Sequence, residues 1–148
     1  IQTGSVAGKV TVLVTSVQVD NQTVQLGSTP VHTVEVASAA PTISSIQVVR
    51  NSSGFEIRIT GDSSVRQMAD LSVTFSGPAG SDLLTTSLTI SLADLFTAYF
   101  NNSNSSRFGS TYLLTVPFVI EGTQSAVNSF SATLTNRIGR SATSSATF

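Results

Sequence analysis

The first 38 residues of this chain alternate like β-strands but hold too few apolar side chains for a core of their own. Val10, Val12 and Val14 recur at every second position, and after a break Val17 and Val19 continue in the opposite phase. Two or three isolated strands are marginal in water, because the apolar area that they bury does not offset the entropy lost on ordering. This segment must therefore complete a sheet elsewhere, in cis within the rest of the chain or a preceding domain, or in trans on a neighbouring subunit.

A run of small residues that ends in a proline follows this segment. Pro41 has no N–H to donate to a strand ladder, and it disfavours helical geometry at Ala40. Such a composition is typical of a linker. We therefore predict an N-terminal strand segment at residues 1–38, a linker at 39–42 and a second unit at 43–148.

The second unit contains seven runs of period-two hydrophobicity, separated by stretches rich in Gly, Asn and Ser. Pro117 falls within the longest run and indicates an edge strand or a bulge there. Seven short strands in about 100 residues are typical of an immunoglobulin-like β-sandwich. The expected fold is therefore all-β. The runs are centred on residues 46–48, 55–59, 71–75, 88–92, 112–120, 130–134 and 142–148.

One short helix interrupts the strand pattern. Ser91 is a candidate N-cap for a helix from Leu92 to Phe100, and Asp94 lies three residues after it, as in a capping box. Apolar residues at helical spacing predict a buried stripe that packs on the sandwich. The stripe consists of Leu92, Leu95, Phe96 and Tyr99.

Composition argues against several classes of partner and cofactor. Charged residues make up 10% of the chain, against roughly 25% in an average soluble protein, and the net charge is −1. The six arginines do not cluster, so we expect neither nucleic acid nor membrane insertion. There is no cysteine, and the acidic residues lack the spacing of a calcium loop, so we predict no metal and no cofactor. A charge-poor sequence rich in serine and threonine favours an extracellular or cell-surface location.

Two strings are similar to known reactive groups but lack the partners that the chemistry needs. Gly61-Asp62-Ser63 is similar to the nucleophile motif of GDS-type lipases, yet His32, the one histidine, lies upstream of the linker; we interpret the string as a turn and His32 as a half-buried strand residue. Lys9 with Asn136 is similar to the isopeptide-forming pairs of some bacterial adhesins. We interpret Lys9 as a solvated residue of an edge strand. The sequence thus predicts no catalytic residues.

Two segments of the second unit resemble a family of extracellular modules. Residues 41–61 and 133–139, read PTISSIQVVRNSSGFEIRITG and TLTNRIG, look like the C-terminal immunoglobulin-like modules of large secreted bacterial surface proteins. Residues 3–8 ahead of the valine-rich strand resemble the tail of the module that usually precedes them. The resemblance implies an extracellular, non-enzymatic role in tandem arrays or surface assemblies, and it carries over no site residues.

The sequence therefore predicts a structural module of an extracellular assembly, a tandem surface protein or a filament subunit, joined to copies of itself or to neighbouring modules by β-strand addition. The alternative is a carbohydrate-binding or adhesion module, although Tyr99 and Tyr112 are its only tyrosines and tryptophan is absent. The candidate assembly interface consists of Val10, Val12, Val14, Val17 and Val19.

Overall fold

A computed structural model describes residues 4–148, so Thr3 of the resemblance lies outside the described residues. This part of the chain has one α-helix, two short 3₁₀ turns and strands throughout, which confirms the predicted all-β class. The strands are β1 (Gly8–Leu13), β2 (Val17–Val19), β3 (Gln22–Val24), β4 (Val31–Val36), β5 (Thr42–Asn51), β6 (Gly54–Asp62), β7 (Asp70–Ser76), β8 (Ser87–Ser91), β9 (Thr111–Val119), β10 (Ser129–Thr135) and β11 (Ser144–Thr147), and the helix is α1 (Ala93–Asn101).

The N-terminal segment folds as a two-stranded antiparallel ribbon, which we call the ribbon and which spans residues 8–36. β1 pairs with β4, and β2 pairs with β3 farther along the same hairpin. Asp20 and Asn21 turn the chain with φ values of 51° and 62°. Two residues with positive φ match the right-handed twist of a hairpin, and Asp and Asn tolerate that geometry better than most side chains.

The seven strands that follow form two antiparallel sheets. One has the order β5-β6-β9 and the other the order β11-β10-β7-β8. The position of β9 at an edge of its sheet confirms the prediction drawn from Pro117, because an edge strand can hold a residue that donates no ladder hydrogen bond. We call these two sheets with their connections the sandwich.

The core of the sandwich lies between the two sheets and is made of alternate residues from each strand. Ile57 and Ile59 of β6, Leu71 of β7 and Leu134 of β10 are all 0% exposed. Alternation in sequence becomes burial on one face because successive side chains of a strand point to opposite sides. The predicted half-buried strands are therefore confirmed.

Helix α1 begins later than predicted and buries a different stripe. Ser91 is the last residue of β8, opposite Asp70, and the N-cap is Leu92, whose N–H donates to Ala69 O over 2.7 Å. The predicted cap at Ser91 and the predicted burial of Leu95 are wrong. Leu95 is 55% exposed, whereas Leu92, Phe96 and Phe100 are 3–6% exposed. The helix packs through this i, i+4 series because such residues lie one above the other on one face.

Candidate functional site

The ribbon has one face that is mainly apolar and one face that carries its charged pair. Side chains that are opposite each other in an antiparallel pair share a face, and successive residues alternate between faces. Val10 therefore shares a face with its partner Val34, and Val12 shares it with His32. Val36, opposite Gly8, completes this surface, which we call the valine face.

The valine face is open to solvent. Val10 is 43% exposed and Val12 is 37% exposed, while Val34 and Val36 are half-buried. Farther along the ribbon Val17 and Val19 are 38% and 57% exposed. An antiparallel sheet with an apolar and a polar face normally packs its apolar face on other structure. Exposed apolar side chains grouped on one face of a sheet favour interaction with other structure.

The opposite face holds the polar pairs of the ribbon and, at one end, the exposed apolar pair of Leu13 and Val31. Lys9 Nζ lies 3.9 Å from Glu35 Oε2, with both side chains more than 60% exposed. Next to them, the hydroxyls of Thr11 and Thr33 are 3.3 Å apart. Charge is thus segregated from the valine face, although Leu13 and Val31 make one end of the opposite face apolar as well.

Both outer edges of the ribbon are also unpaired in the described part of the chain. β1 and β4 form a two-stranded sheet, so each strand uses one edge for its partner and leaves the other open. Open edges present backbone N–H and C=O groups that can pair with a further strand. The ribbon therefore offers two kinds of contact, an apolar face and free strand edges.

A set of hydrogen bonds fixes the base of the ribbon to the sandwich. Ala7 N–H donates to Ser64 O over 2.7 Å, and Ala39 N–H donates to Ser64 Oγ over 3.0 Å. One residue of the sandwich thus binds the chain on both sides of the ribbon. Ser110 N–H also donates to Ser5 Oγ over 3.3 Å. We call this set the joint; it consists of Ser5, Ala7 and Ala39 on one side and Ser64, Ser110 and Asn136 on the other.

Asn136 is the buried centre of the joint. It is 4% exposed, and its Nδ2 donates to Ala39 O over 3.0 Å. Its Oδ1 accepts the N–H groups of Ile138 and Gly139 at 2.8 and 3.2 Å. A buried amide side chain is stable only when its polar atoms are paired in this way.

The residues predicted as a linker are held against the sandwich. Pro41 is less than 2% exposed, and Thr42 is the first residue of β5. Thr42 O accepts a hydrogen bond from Tyr112 Oη over 2.9 Å. The residues that connect the N-terminal strand segment to the sandwich are therefore packed and hydrogen-bonded.

The reactive groups considered from the sequence lie in separate places. Ser63 is 0% exposed and its Oγ donates to Gln67 O over 2.7 Å. His32 lies on the ribbon and is exposed, so the prediction of a half-buried histidine is wrong. Lys9 lies on the polar face of the ribbon beside Glu35, while Asn136 is in the joint. The structure brings together neither the Ser63–His32 pair nor the Lys9–Asn136 pair.

The tyrosines of the carbohydrate-binding alternative are committed to the fold. Tyr112 is 2% exposed, and burial with the charge of Asp62 raises the pKa of its hydroxyl well above the ordinary value. Tyr99 is partly exposed and its Oη donates to Thr111 O over 3.1 Å. Neither ring forms the open platform that sugars stack on.

A cleft of about 860 Å³ opens at the end of the sandwich opposite the joint. Its lining includes Phe75, Leu83, Leu88 and Phe118. Phe75 and Phe118 pack edge to face, with ring centroids 5.4 Å apart, so this wall of the cleft continues the core. Polar residues also line the cleft, among them Asp82, Glu121 and Thr123.

Comparison of the chain with protein-family models, curated proteins and solved structures found no match. Among residues 4–148 no three His, Cys, Asp or Glu side chains are placed to hold a metal ion. Over the same residues, none of the helical structure is long and apolar enough to cross a membrane.

Two features of this site were missed in the sequence. The Asp20-Asn21 pair between short strands is a local hairpin signal and could have been recognised. Ser64 and Asn136 carry no such signal, because their partners lie far away in the sequence; Asn136 and Ala39 are 97 positions apart.

Proposed function

We propose that this chain is a non-enzymatic structural module of an extracellular assembly, an immunoglobulin-like sandwich whose ribbon joins it to another β-sheet. The setting is a tandem surface protein or a filament. The observation that carries the proposal is the segregation of the ribbon, which exposes Val10 and Val12 on one face and the Lys9–Glu35 pair on the other.

The energetics favour association through the ribbon. Burying a valine side chain fully contributes about 1.5–3 kcal/mol, and with 37–57% of each side chain still exposed roughly 0.5–1.5 kcal/mol per valine remains to be gained. The open edges add ladder hydrogen bonds, each contributing about 0.5–1.5 kcal/mol net. Several such contributions are needed, because association also costs translational and rotational freedom.

The joint supports a mechanical rather than a flexible role for the ribbon. Ser64 binds Ala7 and Ala39 at the two sides of the ribbon base, and Pro41, two residues after Ala39, is buried. A surface held in one orientation loses less entropy on binding than one that swings on a linker. The ribbon is therefore preorganised to meet a partner.

An extracellular setting agrees with the surface chemistry. Charged residues are 10% of the chain, and Lys9 is its only lysine.

Because the valine face holds none of the charged pairs, its contacts depend little on ionic strength. Association through this surface should change little between low and high sodium chloride.

Sedimentation velocity over a wide range of protein concentration tests the proposal, together with amide hydrogen exchange of the ribbon. We expect concentration-dependent association that is insensitive to sodium chloride, and slower exchange of residues 8–36 as association proceeds. A protein that stays monomeric at every concentration, with unchanged exchange in the ribbon, would contradict the proposal. Association that sodium chloride alone abolishes would contradict it as well.

A further inference from the structure

We propose that the loop between β6 and β7 couples the ribbon to helix α1, so that the base of the ribbon and the end of the helix open together. The loop consists of residues 63–67, and we call it the latch. This coupling is a property of the single chain, so it stands apart from association through the ribbon.

The latch binds the ribbon through Ser64. The carbonyl of Ser64 accepts the N–H of Ala7 over 2.7 Å, and its hydroxyl accepts the N–H of Ala39 over 3.0 Å. These two residues lie before β1 and after β4. A movement of the ribbon away from the sandwich therefore breaks its hydrogen bonds to the latch on both sides at once.

The latch binds helix α1 through Arg66. Arg66 Nη2 donates to Phe100 O, and Arg66 Cζ lies 5.3 Å from the centroid of the Phe100 ring. Carbonyl groups in the last turn of a helix have no partner within the helix, and the helix dipole favours a cation there. Arg66 therefore stabilises the end of α1 through both its charge and its hydrogen bond.

Arg66 adopts a costly conformation. Its φ is 52°, a left-handed value that favours glycine, and its Nε is buried without a partner in the described part of the chain. Such features persist only where the surrounding contacts hold them in place. The contacts of Ser64 with the ribbon and of Arg66 with Phe100 hold the latch from its two sides. Loss of either set lets the loop relax and weakens the other.

The chain that follows the helix returns to the same place. Ser110 is 0% exposed, and its carbonyl accepts the N–H of Ser63 over 2.9 Å. The N–H of Ser110 donates to Ser5 Oγ over 3.3 Å, just before the ribbon. The connection from α1 to β9 is thus bound at one end by Arg66 and at the other by Ser63 and Ser5, which gives the coupling a second route.

Amide hydrogen exchange reports the opening of each side separately. The N–H groups of Ala7 and Ala39 report the base of the ribbon, because both donate to Ser64. The N–H of Asn102 reports the end of the helix, where it donates to Tyr99 O over 3.2 Å. Energetic coupling is reciprocal, so a weakened contact on one side must increase opening on the other.

Arg66→Ala tests the coupling from the side of the helix. The variant loses both contacts with Phe100 and keeps a residue for which positive φ is costly. We expect exchange at Asn102 to become faster, and exchange at Ala7 and Ala39 to become at least about fivefold faster. Arg66 itself contacts neither alanine through its side chain, so a purely local support of the helix would not move these two amides.

Arg107→Ala is the matched control. Arg107 Cζ lies 4.8 Å from the centroid of the Phe108 ring, in the same connection after α1, and the side chain is exposed. Its loss removes a similar contact between an arginine and a phenylalanine but no link to the latch. Exchange at Ala7 and Ala39 should therefore stay as in the wild type.

Ser64→Ala tests the coupling from the side of the ribbon. It removes the hydroxyl that accepts the N–H of Ala39, and we expect exchange at Asn102 to become at least about fivefold faster. Ser44→Ala is its control, because Ser44 Oγ donates to Thr60 O over 2.9 Å and has no contact with the latch. That variant should leave exchange at Asn102 unchanged.

Each outcome decides for or against the latch. If Arg66→Ala affects only Asn102, or Ser64→Ala affects only Ala39, the two contacts are independent supports and the coupling is wrong. Equal acceleration of the amides of β10 would indicate loss of stability in the whole sandwich and would also overturn it. All of these measurements use dilute, monomeric protein, so their failure leaves the proposed function standing.

Discussion

The side chain of Asn136 donates a hydrogen bond to Ala39 O, and this contact ties the turn after β10 to the chain that leaves the ribbon. The two residues are 97 positions apart. Through this bond the orientation of the ribbon and the stability of the sandwich depend on one buried amide.

Replacing that amide should destabilise the protein and loosen the joint. Asn136→Ala leaves Ala39 O and the N–H groups of Ile138 and Gly139 without their partner. We expect the free energy of unfolding to fall by about 1–3 kcal/mol, with faster amide exchange at Ala39. Chemical denaturation measures the first effect. The exposed Asn104→Ala is the control, and an equal loss in that variant would count against a role for the joint.

The interior of the sandwich should respond strongly to loss of volume. Ile57→Ala removes a side chain that is 0% exposed between the two sheets and should cost about 2–5 kcal/mol. Leu113→Ala, on β9 with 64% of the side chain exposed, should cost less than about 1 kcal/mol. Urea unfolding of the two variants gives the comparison, and similar losses would contradict the placement of the core.

Gly61 should not accept a side chain. A Cβ atom at this position would lie 1.9 Å from Thr42 O and 2.5 Å from Tyr112 Oη, so β5 would have to move away from β6. Gly61→Ala should therefore lower the melting temperature markedly, while Gly8→Ala, where a Cβ atom meets nothing within 4 Å, should leave it nearly unchanged. Differential scanning calorimetry measures both, and a neutral Gly61→Ala would contradict the close pairing of β5 with β6.

Tyr112 should make the stability of the protein fall at high pH. Burial, with a smaller contribution from Asp62, raises the pKa of the folded state, so the unfolded state loses the phenolic proton first. The contribution of this residue is fully present below the ordinary tyrosine pKa of about 10 and is lost as pH rises above it, by up to about 1.4 kcal/mol per pH unit.

The variant Tyr112→Phe isolates this effect. It has no phenolic proton, so the difference in unfolding free energy between wild type and variant should be constant below about pH 10 and shrink above it. The variant also loses the hydrogen bond to Thr42 O, which should cost about 1 kcal/mol at neutral pH. A difference that stays constant up to pH 11 would contradict the burial of the hydroxyl.

The strands were predictable because their signal is local. Phe55, Ile57 and Ile59 alternate with polar residues, and β6 spans them from Gly54 to Asp62. The helix was predicted less well. Leu95 and Phe96 both lie at helical spacing from Leu92, so the local sequence does not decide which of them is buried. Tertiary packing buries Phe96 and Phe100 and leaves Leu95 exposed.

The joint could not be predicted, for a different reason. Ser64 follows a strand and looks like any turn serine, yet it binds the chain on both sides of the ribbon. Hydrogen bonds between distant segments depend on the finished packing of the sheets, and no periodicity in the sequence records them. The alternating valines of the sequence predict apolar strands without a core of their own. Which side chains share a face of the ribbon depends on the register of β1 with β4, which the sequence does not give.

The arrangement of the two ends of the sandwich has a mechanical consequence. The ribbon enters at the joint beside the first residue of β5, while Phe148 lies at the other end, where its N–H donates to Asn128 O. A pull between Ala39 and Phe148 therefore runs along the strands, across the ladder that pairs β5 with β6. Those hydrogen bonds bear such a load together in shear instead of opening one after another. The sandwich is thus suited to transmit tension along its length with little extension.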